Sequence, residues 1–159
     1  MTDAPERVVF LDVDGVVIPS TFVLVDRDAC WERRFPAHTI AVLNELCSRS
    51  GARIVTNTTH NQRRTDVPDI ADALVAAGLD PAHVHPTDSC TVYPDTGRDE
   101  AVKEWLARHP EITDWVAYDD AAFTQDDRLI WVDPDSGLTT SHLNQALERF
   151  NCRPIMILM

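Results

Sequence analysis

The sequence has no apolar run approaching the roughly 18 residues that a membrane-spanning helix needs, so no membrane partner is expected. Its opening, MTDAPERVVF, lacks the charge pattern and apolar length of a secretory leader, and the expected location is cytoplasmic. Cysteine is sparse and unpaired. Cys30, Cys47, Cys90 and Cys152 form no CxxC, which argues against a zinc knuckle or a disulfide scaffold and leaves them as reduced packing residues. Positive charge is also short: 14 Lys and Arg face 26 Asp and Glu, a net charge of −12. That balance disfavours a long grip on a nucleic-acid backbone, which needs cationic side chains to release counterions, but leaves room for a local basic groove. No repeat, low-complexity tract or linker interrupts the chain, so residues 1–159 are expected to form one domain with no obligate protein partner.

Short β-branched runs alternate with amphipathic segments of helical length, the pattern of a doubly wound α/β fold with a mostly parallel sheet and helices on both faces. Strands are expected at Val8–Asp12, Arg53–Thr56, Val84–His85, Trp115–Tyr118, Leu129–Val132 and Pro154–Leu158. Helices are expected from Pro36 to the stop at Gly51, from Pro68 to Ala77, from Asp99 to Arg108 and from Thr140 to Phe150. The four tryptophans, Trp31, Trp105, Trp115 and Trp131, are scattered and read as packing.

Chemistry gathers at the carboxyl ends of the expected strands, where ligands collect in such sheets. VVFLDVDGVV, residues 8–17, ends an apolar strand in Asp12 and Asp14; Asn57-Thr58-Thr59 follows the second strand; Arg98 opens a helix; Asp119-Asp120 closes WVAY. A carboxylate at a buried strand end is costly unless a cation or hydrogen-bond donors compensate it. Two strands each supplying acids therefore ask for a metal, and an all-oxygen ligand set suits Mg²⁺, which is commonly held by one or two carboxylates and a substrate phosphate. Thr58 would offer a hydroxyl and backbone N–H donors at a helix N-terminus for the phosphoryl oxygens, and Arg98 a fixed positive charge. Alone, Asp119-Asp120 is an ordinary turn, Thr58 an ordinary helix cap and Arg98 an ordinary surface residue; their weight comes from the set.

FLDVDGVV resembles the first motif of the haloacid dehalogenase-like phosphohydrolases, DxDG after an apolar strand. The later hydroxyl, basic and paired-acid positions follow in that superfamily's order. VAYDD and DPDSGLTTSHL are also similar to the small phosphatase-type domains associated with RNA repair proteins. The resemblance implies a Rossmann-like core with Asp12 as nucleophile forming an aspartyl-phosphate. Asp14 would be the general acid and base, with its carbonyl on Mg²⁺. Gly15 would turn the backbone toward the phosphate, Asn57, Thr58 and Arg98 would bind it, and Asp119 and Asp120 would complete the metal site. Thr56 competes with Thr58 for the hydroxyl position, and Lys103 with Arg98 for the basic one.

The stretches Ile18 to Pro36 and Asn61 to Gly97 leave no room for a large cap domain. An open site follows, suited to a phosphorylated substrate such as a nucleotide or a nucleic-acid end, with Arg33-Arg34 and Arg63-Arg64 near its border and His60 read as structural. The alternatives are a receiver-like signalling domain carrying a phosphorylated Asp, and an idle domain that keeps the fold to bind a partner.

Overall fold

The computed structural model describes residues 6–25, 35–58, 69–91 and 97–156. Strand β1, Glu6–Leu11, is followed by a short helix α1, Ser20–Val25, and by α2, Ala37–Ser50. Then come β2, Arg53–Thr56, and α3, Ile70–Ala76. After a turn of 3₁₀-helix follow β3, Val84–Ser89, α4, Arg98–Arg108, β4, Ile112–Asp119, β5, Leu129–Trp131, and α5, Thr140–Arg149. The sheet is parallel throughout, in the order β3-β2-β1-β4-β5. β1 is central and covered on both faces, which explains why VVFL is apolar without alternation. Val9 and Leu11 face the core built with α2, α3 and α5; Val8 and Phe10 face the smaller core built with α4. On that second face Phe10 meets Trp105 and Trp115 edge-on, with ring centroids 5.4 and 5.5 Å apart.

Local chemistry accounts for the helix ends. Gly51, at φ 74°, donates its N–H to the Cys47 carbonyl and stops α2. Asp69 caps α3 by accepting from the Ala71 N–H. Thr139 and His142 form a reciprocal capping box on α5. α4 begins at Arg98 itself, with Asp99 and Glu100 in its first turn, where acids complement the helix dipole.

Several expectations are corrected. The last strand expected at Pro154–Leu158 does not form over residues 154–156. Asn144 of α5 receives the Ile155 N–H (2.8 Å) and donates to its carbonyl (3.2 Å), so a side-chain amide takes the bonds a ladder would use; residues 157–158 lie outside the described residues. Helix α1 was not foreseen, and β3 extends well past His85. Trp105 and Trp115 are packed, but Trp131 is 54% exposed. Cys47 and Cys90 are buried in the core, and burial pushes each thiol up to about 12; Cys30 and Trp31 are not among the described residues. No helix among those residues is long and apolar enough to cross a membrane, and no large cap is present among them.

Candidate active site

Side-chain alternation decides which groups meet. In β1, Val8 and Phe10 share their face with Val55 of β2 and with Trp115 and Ala117 of β4. Leu11 stands opposite Thr56 and Tyr118, so the next residue on each strand belongs to the α4 face: Asp12, Asn57 and Asp119. The Asp12 N–H to Tyr118 carbonyl bond (3.1 Å) and the Asn57 N–H to Leu11 carbonyl bond (2.8 Å) carry this alignment past the strand ends. Trp131 of β5 pairs with Asp119 and closes the row at the sheet edge.

Asp12 and Asp119 are 2% and 1% exposed, and each, with Asp120, places a carboxylate oxygen within 4.8 Å of the other two. Arg98 reaches down from the first turn of α4. Its Nη1 lies 2.5 Å from Asp119 Oδ1 and 3.2 Å from Asp12 Oδ2. Asp119 Oδ1 also accepts the Ala121 N–H at 2.9 Å. Asn57 ties β2 to the same helix end, its Nδ2 donating to the Arg98 carbonyl at 3.4 Å. Its buried Oδ1 accepts no hydrogen bond among the described residues.

Of the open alternatives, Arg98 is the cation brought to the acids; Lys103 is a turn away on the surface, paired with Asp99 at 2.9 Å. Thr56 lies on the opposite sheet face from Asp12, and its hydroxyl donates to the Asp88 carbonyl of β3 at 3.1 Å. Thr58 is buried at the end of its described segment. The helix N-terminus expected there falls in residues 59–68, outside the described residues, as do His60 and Arg63-Arg64; Arg33-Arg34 likewise. Asp14 is exposed, and its carboxylate is not part of the three-acid group. It lines a cavity of about 360 Å³ with Ile18, Val23, Pro134 and Asp120. Gly15, between the two groups, has φ +80°, and a Cβ there would stand 2.6 Å from Asp120 Oδ2 and 3.0 Å from the Pro134 Cβ. That position needs glycine both for its dihedral and for the room it leaves Asp120.

The charges show what the site lacks. Burial, and then the neighbouring Asp119 charge, push the Asp12 carboxyl up to about 8, with Arg98 pulling the other way. Burial pushes Asp119 up to about 6. Burial opposes the Arg98 charge, but Asp12 and Asp119 outweigh it and hold the guanidinium protonated. With its acids ionised, the cluster would set three carboxylates against the single guanidinium of Arg98. A hard divalent cation fits this all-oxygen donor set and would offset the burial and the repulsion that favour protonation.

Residues 8–143 match the family described as the HAD domain in Swiss Army Knife RNA repair proteins. The chain belongs to that family. The match runs from Val8, the third residue of β1, to Leu143 of α5, so it includes every element that shapes the acid row. As a HAD domain the protein is of the HAD phosphohydrolase type, and the acid cluster occupies the carboxyl ends of β1 and β4. No curated protein and no solved structure matches the chain.

Proposed function

We propose that this HAD domain is a Mg²⁺-dependent phosphomonoesterase working through an aspartyl-phosphate. The observation that carries the proposal is the convergence of Asp12, Asp119, Asp120 and Arg98 on one buried point beside an open cavity lined by Asp14. Asp12, Asp119 and Asp120 would hold the metal, with the Asp14 carbonyl contributing; when bound, Mg²⁺ supplies charge neutralisation for the phosphoryl oxygens.

The protein's own groups divide the work. Asp12 attacks phosphorus as the P–O ester bond breaks, and Asp14, standing in the solvent-facing cavity, gives its proton to the departing alcohol oxygen. Asp14 then takes a proton from the water that attacks the acyl phosphate, releasing inorganic phosphate and restoring the Asp12 carboxylate. Arg98 aims Asp12 and balances charge on the transferred group, with Asn57 fixing the start of its helix. Gly15 and Thr58 would present donors to the phosphoryl oxygens. The open mouth and the RNA-repair family favour a nucleotide or a polynucleotide end as substrate. With a net charge of −12, such an enzyme would hold few phosphates and show a shallow salt dependence.

Phosphate release from p-nitrophenyl phosphate, nucleotides and 3′-phosphorylated oligonucleotides, with and without Mg²⁺, tests the reading. Asp12→Asn is expected to lose at least about 10³-fold in kcat while melting at or above the wild-type temperature, because the amide keeps the shape and removes a buried charge. An Asn variant that retains a tenth of the wild-type rate would refute the nucleophile. A long-lived aspartyl-phosphate in place of turnover would favour the receiver-like alternative.

A further inference from the structure

Trp131 stands apart from the other large aromatic side chains of the described residues. Trp105, Tyr118, Phe10 and Phe150 are fully buried, whereas Trp131 is 54% exposed although it pairs in register with Asp119, one of the most buried acids. Its indole Nε1 donates to the Asp120 carbonyl at 2.9 Å. The ring is thereby fixed against the backbone of the acid cluster, with its polar edge satisfied and much of its surface left to solvent. An exposed indole with a pinned rotamer loses little freedom on stacking.

We infer that Trp131 is a specificity-determining residue, a platform on which the base next to the scissile phosphate stacks. The inference rests on the phosphatase reading above. Trp131 lies two strand positions from Asp12, about 10 Å across the sheet. That separation suits an aromatic group held a sugar's length from phosphorus and not one bonded directly through the ester oxygen, as in an aryl phosphate. Stacking also suits an acidic protein, because it draws on the π-face of the base and not on the phosphate backbone.

The test compares adenosine 3′- and 5′-monophosphates with ribose 5-phosphate, which lacks the base. In Asp12→Asn protein with Mg²⁺, the nucleotides are expected to quench tryptophan emission and ribose 5-phosphate is not; adding Trp131→Phe should remove most of that quenching while leaving nucleotide affinity largely intact. In active enzyme, Trp131→Ala is expected to raise KM for the nucleotides roughly tenfold to a hundredfold, leaving kcat and the kinetics on ribose 5-phosphate unchanged, with Trp131→Phe close to wild type. Equal losses on ribose 5-phosphate and nucleotide would make Trp131 a structural support for Asp120 and overturn the inference. So would unchanged nucleotide KM in Trp131→Ala. If the wild-type protein hydrolyses none of the three, the phosphatase reading fails, and the quenching experiment still decides the stacking: nucleotide quenching that depends on Trp131 supports it, and its absence refutes it.

Discussion

Replacing Gly15 by Ala separates backbone strain from crowding at the acid cluster, because Gly51 offers a matched control. Both glycines have left-handed dihedrals, φ +80° and +74°, but a Cβ at Gly51 would meet nothing within 4 Å, whereas one at Gly15 would press on Asp120 and Pro134. The dihedral penalty is about 1–2 kcal/mol, partly offset by the lower entropy of the unfolded Ala chain, so Gly51→Ala should cost about 1 kcal/mol. Gly15→Ala adds a contact that only movement can relieve. If Asp120 swings aside and Pro134 gives by a few tenths of an ångström, the total is about 2–3 kcal/mol. For a chain of 159 residues those costs correspond to falls in Tm of about 2–4 °C and about 5–10 °C. Thermal melting by circular dichroism measures both, and phosphatase assays over a Mg²⁺ series measure the second consequence. Gly15→Ala should need roughly tenfold more Mg²⁺, since Asp120 is displaced, while Gly51→Ala, at the far end of α2, should match wild type in activity. Equal melting temperatures for the two variants, or wild-type Mg²⁺ dependence in Gly15→Ala, would refute the contact argument.

Two further perturbations probe the acids separately. Asp120→Ala should weaken Mg²⁺ binding about 10- to 100-fold, with activity partly recovered at high Mg²⁺; a Mg²⁺ titration of the rate checks this, and an unchanged midpoint removes Asp120 from the ligand set. Asp88 of β3 lies near Asp69 and is pushed up to about 6 by burial, then by the hydrogen bond and charge of Asp69. The native state therefore binds more protons than the unfolded chain between about pH 4 and 6, and this group's contribution to stability is full below pH 4 and lost as pH rises through 6. Asp88→Asn, with the shift discounted for partial solvent exposure, should be about 1 kcal/mol more stable than wild type at pH 7 and equal to it below pH 4 by urea unfolding; equal stability at both pH values would show that the pair does not hold a shared proton.

What was legible from the chain alone was what short-range pattern encodes. The apolar VVFL run, the stop at Gly51 and the helix opened by Arg98 each depend on residues a few places apart, and each lies where that pattern put it. Where the pattern was ambiguous the errors followed: PIM is apolar enough for a strand, but a single Asn144 side chain takes the bonds of Ile155.

The membership of the site was a different kind of question, because a period of two leaves the sheet face of every strand undetermined until its register with another strand is set. Pairing Leu11 with Thr56 and Tyr118 turns Asp12 and Asp119 to the same side and Thr56 away from them. Seating α4 on that side brings Arg98, and not Lys103, to the carboxylates. The same registration puts Trp131 at the open end of the row, exposed, where its LIW context reads as core. The sequence by itself determined the fold class and the kinds of chemical group available, since those are local; the tertiary structure alone decided which of them share a buried point, since that depends on pairings between residues more than a hundred positions apart.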